Sequence, residues 1–390
     1  MLLESLHLKN FLSFGPDAEP IILRPLNVLI GVNGSGKSNF LEAISLLQAA
    51  PDQLTRPIRD GGGVSDWLWK ELGGVRSSAK AIATVDAVIR FPNGPTSLRH
   101  VIDFTESGGR FSLEDEKVEN ASVLRNSPNV FFFYHYNQGQ PVLSVQKQQR
   151  RLLREDVEDN LSILAQRRDP EQYPEITYLA NQLRKIKLYR EWSFGRYSSP
   201  RLPQRTDGPC DFLEPDGSNL GVVLNNFDLS SKRRLLQALQ ALFEGINSYH
   251  VGLIEGNAQV FLEEQDRRIP ATRLSDGTLR YLSLLAVLCH PSPPPLVCIE
   301  EPELGLHPDV LPTLAKLLCE ASERTQLVVT THSPVLVDAL SETPESVLVC
   351  ERNEAGTSLV RLEQEELNPW LEKYRLGQLW TRGDLGGTRW

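Results

Sequence analysis

The sequence predicts an α/β fold: a mixed β-sheet core flanked by helices, an antiparallel β subdomain, and a helical insertion forming an arm or lid. Three observations predict it. A short apolar run, Leu26–Ile30, feeds directly into a glycine-rich loop and then an amphipathic helical stretch. Two later apolar runs, LVCIE at 296–300 and QLVVTT at 326–331, alternate with helical patterns. Between the first run and these two, AIATVDAVIRF, LRHVIDF and NVFFFYHY read as strands separated by Gly, Pro and Asn turns, which makes residues 80–135 β-rich.

The elements follow in order. Ser5–Phe11 alternates polar and apolar residues, as a half-buried strand does. Leu26–Ile30 is nearly all apolar and suits a central strand. A helix over about 39–48 places Phe40, Leu41, Ile44 and Leu47 on one face, and Pro51 closes it. Residues 145–192 read as helical and charged, broken near Pro170 and Pro174, and 193–216 as an exposed loop or lid. Helical pattern returns at Lys232–Phe243, followed by a hairpin in VGLIEGNAQVFLEEQ and the helix TLRYLSLLAVLCH. After PSPPP come the strand LVCIE, the helix PDVLPTLAKLLCEASE and the strand QLVVTT. This divides the chain into an N-terminal lobe (1–134), an insertion (135–230) and a C-terminal lobe (231–390).

Composition bounds the function. In 390 residues, 40% are hydrophobic and 23% charged, enough to bury a sizeable core. The formal net charge of −9 excludes a protein that grips nucleic acid by bulk attraction, so any such contact needs a local basic patch. Cys210, Cys289, Cys298, Cys319 and Cys350 are odd in number and lack CxxC spacing, which implies reduced thiols in the cytoplasm and no zinc site. No signal peptide is expected, and the longest apolar segment, Leu282–Cys289, is too short to span a bilayer, so no membrane association is expected.

The chemistry starts at Gly31-Val-Asn-Gly-Ser-Gly-Lys37-Ser38, which fulfils GxxxxGK[ST] in its strand–loop–helix context. Gly34 and Gly36 permit backbone conformations that a Cβ forbids, so successive N–H groups of Asn33, Gly34, Ser35, Gly36 and their neighbours turn toward phosphates. The helix start, with Asn39, adds positive partial charge. Lys37 reaches the β- and γ-phosphates of a nucleotide, and Ser38 offers a hydroxyl to Mg²⁺. The strand LVCIE then carries Glu300 and Glu301 out at its end, where ligands bind in open α/β sheets. The first acid suits a metal shell, and the second suits orienting or deprotonating an attacking water. His332 stands just past QLVVTT, within reach of a γ-phosphate. Ser275, Asp276 and Gly277 open the helix that ends at Cys289; a serine there is an ordinary N-cap, or part of a nucleotide-binding signature.

The order of LKNFLSFG, GVNGSGKSNFLEAI, LSDGTLRYLSLLAVL, IEEPELGLHP and VVTTHSP resembles the ATP-binding cassette (ABC) superfamily, specifically its soluble RecF/SMC/OLD-like heads and standalone AAA family ATPases without a TOPRIM domain. SILAQRRDPEQYPEI and LGQLWTRGDLGGTRW look like that branch too. The resemblance implies an ABC-type ATPase head that uses ATP and Mg²⁺. It makes Glu300 the metal-shell acid, where most relatives have Asp, Glu301 the catalytic base, His332 the switch histidine and Gln166 a metal-sensing glutamine. It makes Ser275, Asp276 and Gly277 the signature that contacts ATP held by the opposite subunit, and therefore implies an ATP-dependent homodimer or higher assembly.

The expected output is a switch coupled to double-stranded DNA or to a partner effector, in DNA repair or anti-phage defence. The alternative is a slow-turnover scaffold for a separately encoded effector such as a nuclease. Lys147, Arg150, Arg151, Arg154, Arg184, Lys185, Lys187, Arg190, Arg196, Arg201 and Arg205, with Trp192, Phe194 and Tyr197, are the candidate nucleic-acid residues; the competing reading is a solvated helix face balanced by Glu155, Asp156, Glu158 and Asp159. The 58 residues after His332 carry no domain-sized set of carboxylates on strands, so no nuclease is expected within the chain, and the LSDGT signature argues against a transporter ATPase.

Overall fold

The computed structural model describes residues 1–70, 81–124, 128–137, 140–145, 148–151, 158, 160–243 and 245–388. A six-stranded core sheet runs in the order Lys187–Tyr189, Leu296–Glu300, Gln326–Thr330, Leu26–Ile30, Val347–Asn353, Gly356–Arg361. Its first five strands are parallel and the last is antiparallel. Alternate residues serve two cores: Val28, Ile30, Val297, Ile299, Leu327 and Val329 face the helices Asp276–Leu288 and Leu311–Ser322, whereas Leu29, Leu296, Cys298 and Val328 face the helix Lys37–Ala49. Burial on both faces is why these strands read as unbroken apolar runs.

The second sheet has eight antiparallel strands, in the order Ile21–Ile22, Leu3–Lys9, Ala83–Ile89, Leu98–Ser107, Arg110–Asn120, Phe132–Asn137, Gln140–Val145, Gln148–Arg151. Leu6, Leu8, Val85, Ala87, Ile102 and Phe104 pack with Phe40, Leu41, Ile44 and Leu47, so the phosphate-loop helix lies between the two sheets. A small third sheet pairs Gln204–Arg205 and Ile246–Ile254 with Asn257–Glu264, which also pairs Arg267–Pro270.

The described part of 135–230 holds helices Ile163–Gln166, Pro174–Arg184 and Leu220–Asn225, interleaved with strands and loops. Its first part extends the antiparallel sheet by two strands. Lys187–Tyr189, expected as helix, joins the core sheet beside Leu296–Glu300. The 193–216 loop, expected to be exposed, buries Phe194, Arg201, Phe212 and Leu213. Charged edge strands and a polar loop that wraps a core both mimic a solvated helix in sequence, because an edge tolerates charge and a loop needs no periodicity. Lys147, Arg154, Glu155, Asp156 and Asp159 lie outside the described residues, as do the side chains of Arg150 and Arg151.

The C-terminal segment is integral to the fold. Helix Leu376–Thr381 docks on Pro334–Asp338: Leu376 N donates to Ser341 Oγ (2.9 Å) and Gln378 N to Asp338 Oδ1 (3.1 Å). The chain then turns back through Gly386 and Gly387, both with left-handed φ (77° and 67°), and Gly387 N donates to Glu351 Oε1 at 2.7 Å. A Cβ on Gly387 would lie 3.4 Å from Cα of Gly31, the first residue of the phosphate loop. Among the described residues no helix is long and apolar enough to cross a membrane.

Candidate active site

The site assembles at the C-terminal ends of three adjacent parallel strands, because Glu300 registers with Thr330, and Thr330 with Leu29. After Leu26–Ile30 the chain enters the phosphate loop. Gly31 must lack a Cβ, which would lie 2.3 Å from Cys350 O. Gly34 and Gly36 have φ of 80° and 111°, and Gly36 caps the helix Lys37–Ala49. Asn33 and Gly34 are exposed at the loop tip, whereas Ser35 is fully buried. Lys37 Nζ donates to Gly31 O (2.8 Å) and Val32 O (3.0 Å), and its burial lowers its pKa from the ordinary lysine value, against the opposing pull of Cys350 and Glu301. Asn39 Nδ2 donates to Ser13 Oγ (2.7 Å), tying the loop helix to the LKNFLSFG segment. There, Leu12, Ser13, Asn39, Leu68, Lys70 and Arg352 line an open cleft of about 210 Å³.

Ser38 Oγ donates to Glu300 Oε1 at 2.5 Å, joining the two residues expected at the metal. Glu301 is a non-glycine residue in left-handed backbone, φ 46°. That conformation is held from three directions: Glu301 N donates to Thr330 O (3.0 Å), Thr330 Oγ1 lies 3.3 Å from the same N–H, and Arg280 of the signature helix donates to Glu301 O (2.9 Å). Strain over-determined in this way at a polar site is a mark of function. The Glu301 carboxylate points to His332, with Oε1 3.6 Å from Nε2. Glu303 fixes the histidine from behind, because its Oε1 accepts from Thr331 Oγ1 (2.7 Å) and from His332 N (2.8 Å). Burial, then the Lys37 ammonium, lowers the His332 pKa from its ordinary 6.5, so the imidazole is neutral near pH 7 and can accept or donate a proton.

Ser275 caps its helix, accepting from Thr278 N at 3.1 Å. Asp276 pairs with Arg201, and a Cβ on Gly277 would sit 2.6 Å from Gly305 O of the LGLHP loop. These three residues thus contact Arg201, Thr278 and Gly305, apart from the Ser38–Glu300 pair. Gln166 is a correction. Its Oε1 accepts from Glu158 N (2.9 Å) and its Nε2 donates to Leu161 O (2.9 Å), so it braces its own loop and is not brought to Ser38 and Glu300. Gln166 ends a four-residue helix, Ile163–Gln166, whose first N–H donates to Glu116 of the antiparallel sheet.

The residues fit a nucleotide and its metal. Ser35 Oγ is buried without a hydrogen-bond partner at the base of the loop. Among the described residues no three His, Cys, Asp or Glu side chains cluster to hold a metal alone. Ser38 with Glu300 offers one hydroxyl and one carboxylate, the short protein shell that suits Mg²⁺ when phosphates and water complete it.

Several participants escaped the sequence reading. Glu303 carried a signal, the third acid of IEEPE. Arg190, Arg201 and Arg280 carried none of their own, since their partners are distant in sequence. Arg201 is 6% exposed and donates to Phe194 O (2.8 Å), Ala271 O (3.3 Å), Leu274 O (2.6 Å) and the Asp276 carboxylate, gathering the loop that leads into the signature. Among the described basic residues grouped as a nucleic-acid patch, Arg184 pairs with Asp52, Lys187 with Glu214, Arg190 with Glu42 and Arg205 with Asp207.

The fold is that of an ABC-type ATPase head, similar to the heads of SMC proteins. The family model described as "AAA domain, putative AbiEii toxin, Type IV TA system" matches residues 26–338, and the chain belongs to that family. Two solved structures with this fold are an Smc head bound to the C-winged helix domain of ScpA (17% identity, TM-score 0.59, 94% of this chain and 99% of that one) and an Smc head with an extended coiled coil bound to the C-terminal domain of ScpA, from Pyrococcus furiosus (16%, TM-score 0.60, 96% and 99%). A third, from Pyrococcus yayanosii, is an Smc head with a coiled coil and joint (13%, TM-score 0.54, 96% and 99%). A search of curated proteins finds no match.

Proposed function

We propose that the chain is a Mg²⁺-dependent ATP-hydrolysing switch that assembles head-to-tail with a second copy around ATP and passes this state to a separately encoded effector protein. The observation that carries it is the strained Glu301, whose carboxylate faces His332 beside the Ser38–Glu300 pair. Lys37 and the loop N–H groups bind the phosphates, with the nucleoside toward the Ser13–Asn39 cleft. Ser38 and Glu300 would hold the metal, which when bound would supply charge neutralisation at the transferred phosphoryl group. Glu301 takes the proton of the attacking water, and neutral His332 holds the γ-phosphate side.

Two features support assembly. Among the described residues Ser275 and Asp276 hydrogen-bond or pair with Thr278 and Arg201 and with no residue of the phosphate loop, in keeping with a site completed by a second copy. Leu304 (49% exposed) and Val335 (39%) leave apolar surface directly beside Glu303 and Ser333. A protein effector is favoured over double-stranded DNA because, among the described candidate residues, Arg184, Lys187 and Arg190 are engaged with Asp52, Glu214 and Glu42. The family's description, which includes a type IV toxin–antitoxin system, and the Smc heads bound to ScpA are in keeping with a defence role and a protein partner. The slower scaffold shares this site and differs only in turnover.

The test is ATP turnover and solution mass of wild type and Glu301→Gln, with and without double-stranded DNA. The switch requires turnover by wild type and an ATP-trapped dimer of the variant. Identical assembly of both with negligible turnover selects the scaffold. Turnover accelerated by DNA restores the nucleic-acid output.

A further inference from the structure

Tyr189 registers with Ile299, so Arg190 leaves its strand alongside Glu300. Its guanidinium enters the metal side of the site. Nη1 lies 2.8 Å from Glu42 Oε1, Nη2 donates to Ser38 O at 3.0 Å, and Nε lies 3.6 Å from Glu300 Oε2. Ser38 Oγ holds the other oxygen, Oε1. One carboxylate is therefore shared between a hydroxyl and an arginine, with all three side-chain charges mostly shielded: Arg190 is 23% exposed, Glu42 27% and Glu300 21%.

Charge explains why an arginine belongs there. Glu42, Glu300, Glu301 and Glu303 all lie around the phosphate loop, against Lys37 as the loop's own cation. Unneutralised, these acids attract a divalent cation and repel a polyphosphate. Arginine suits the position better than lysine, because it stays charged when shielded and its planar fork reaches three oxygens at once. We propose that Arg190 is the built-in counter-charge of the metal-side acids: it raises affinity for the nucleotide anion and lowers affinity for the metal, so that nucleotide binds ahead of metal. This rests on the reading of the site as one for nucleotide and Mg²⁺.

A charge effect has a signature that damaged packing lacks, since removing one positive charge acts oppositely on an anion and a cation. The experiment measures two constants on the full chain: affinity for ADP in EDTA, and affinity for Mn²⁺ of the protein–ADP complex by electron paramagnetic resonance. Arg190→Gln weakens ADP about fivefold and tightens Mn²⁺ about fivefold, for a shielded charge several ångströms away; Arg190→Lys keeps both near wild type. Glu42→Gln, which removes the opposite charge, moves both constants the other way, and serves if Arg190→Gln does not fold. Shifts in the same direction, or failure of either constant to move, overturn the proposal while leaving the nucleotide site standing. A wild-type chain that binds no ADP overturns both.

Discussion

Glu301 concentrates the argument at the scale of one residue. Its left-handed φ costs about 1–3 kcal/mol for a residue with a Cβ. Glycine removes that cost. Glu301→Gly is therefore expected to raise stability to chemical denaturation by about 1 kcal/mol while hydrolysis falls about 10²-fold or more. Glu301→Gln loses the same activity without the gain in stability. A protein that keeps a strained acid where glycine would fold better is holding it for chemistry. His332 sets the acid side of the pH profile. Its depressed pKa means that the unfolded chain takes up the proton first as pH falls. Its contribution to stability is thus complete above the ordinary histidine pKa of about 6.5 and declines below it, and turnover declines as the folded imidazole protonates lower still. The expected pH–rate profile has its acidic limb below pH 6.5, and His332→Gln removes that limb from whatever activity is left. A limb centred above 6.5 would contradict the assignment.

Elements bring distant residues to these positions, and here legibility divides. The places of the phosphate loop, the acids after LVCIE and the histidine after QLVVTT were readable because each is fixed within a few residues of its own strand end. Gln166 misled because a glutamine near a serine-capped turn looks the same whether it meets a metal or its own backbone; only the fold shows that it braces Glu158 and Leu161. Arg190 was unreadable as a site residue, because its place depends on Lys187–Tyr189 being a strand, and three residues flanked by charge read as helix. Arg201 was grouped with surface arginines, yet it gathers the carbonyls of Ala271 and Leu274 and the Asp276 carboxylate. Lysine cannot replace that planar fork. Arg201→Lys is expected to cost about 2–4 kcal/mol of stability through carbonyls left unpaired. It should also speed hydrogen exchange across 274–279, leave ADP affinity unchanged and weaken ATP-dependent assembly. Unchanged exchange there would mean the arginine does not set the signature.

At the scale of the whole molecule, two cores share one sheet. The helix Lys37–Ala49 is clamped between that sheet and the eight-stranded one, so the phosphate loop has rigid backing. The signature helix belongs to the other core, together with the 193–216 loop. Arg280 bridges them by donating to Glu301 O. Removing it in Arg280→Ala is expected to lower turnover by loosening Glu301 while leaving ADP affinity intact, a split readable from kcat and from equilibrium binding. Helices Ile163–Gln166, Pro174–Arg184 and Leu220–Asn225 stand within 160–230, and the net charge of −9 over the whole chain disfavours a polyanion held by bulk attraction.

The C-terminal turn over the phosphate loop changes how the protein can be handled at the bench. Gly387 approaches Gly31 closely, and its neighbouring helix rides on the segment that follows His332. A dye placed in this turn lies beside the phosphate loop and would report on, or interfere with, what binds there. A fluorophore placed in that turn would serve as a sensor, whereas the same dye at the exposed Ile22 of the antiparallel sheet would be a bystander. Gly387→Val, which would bring a side chain within 2.9 Å of Val349 Cγ1 in left-handed backbone, should unseat the turn and change that signal without touching a phosphate contact.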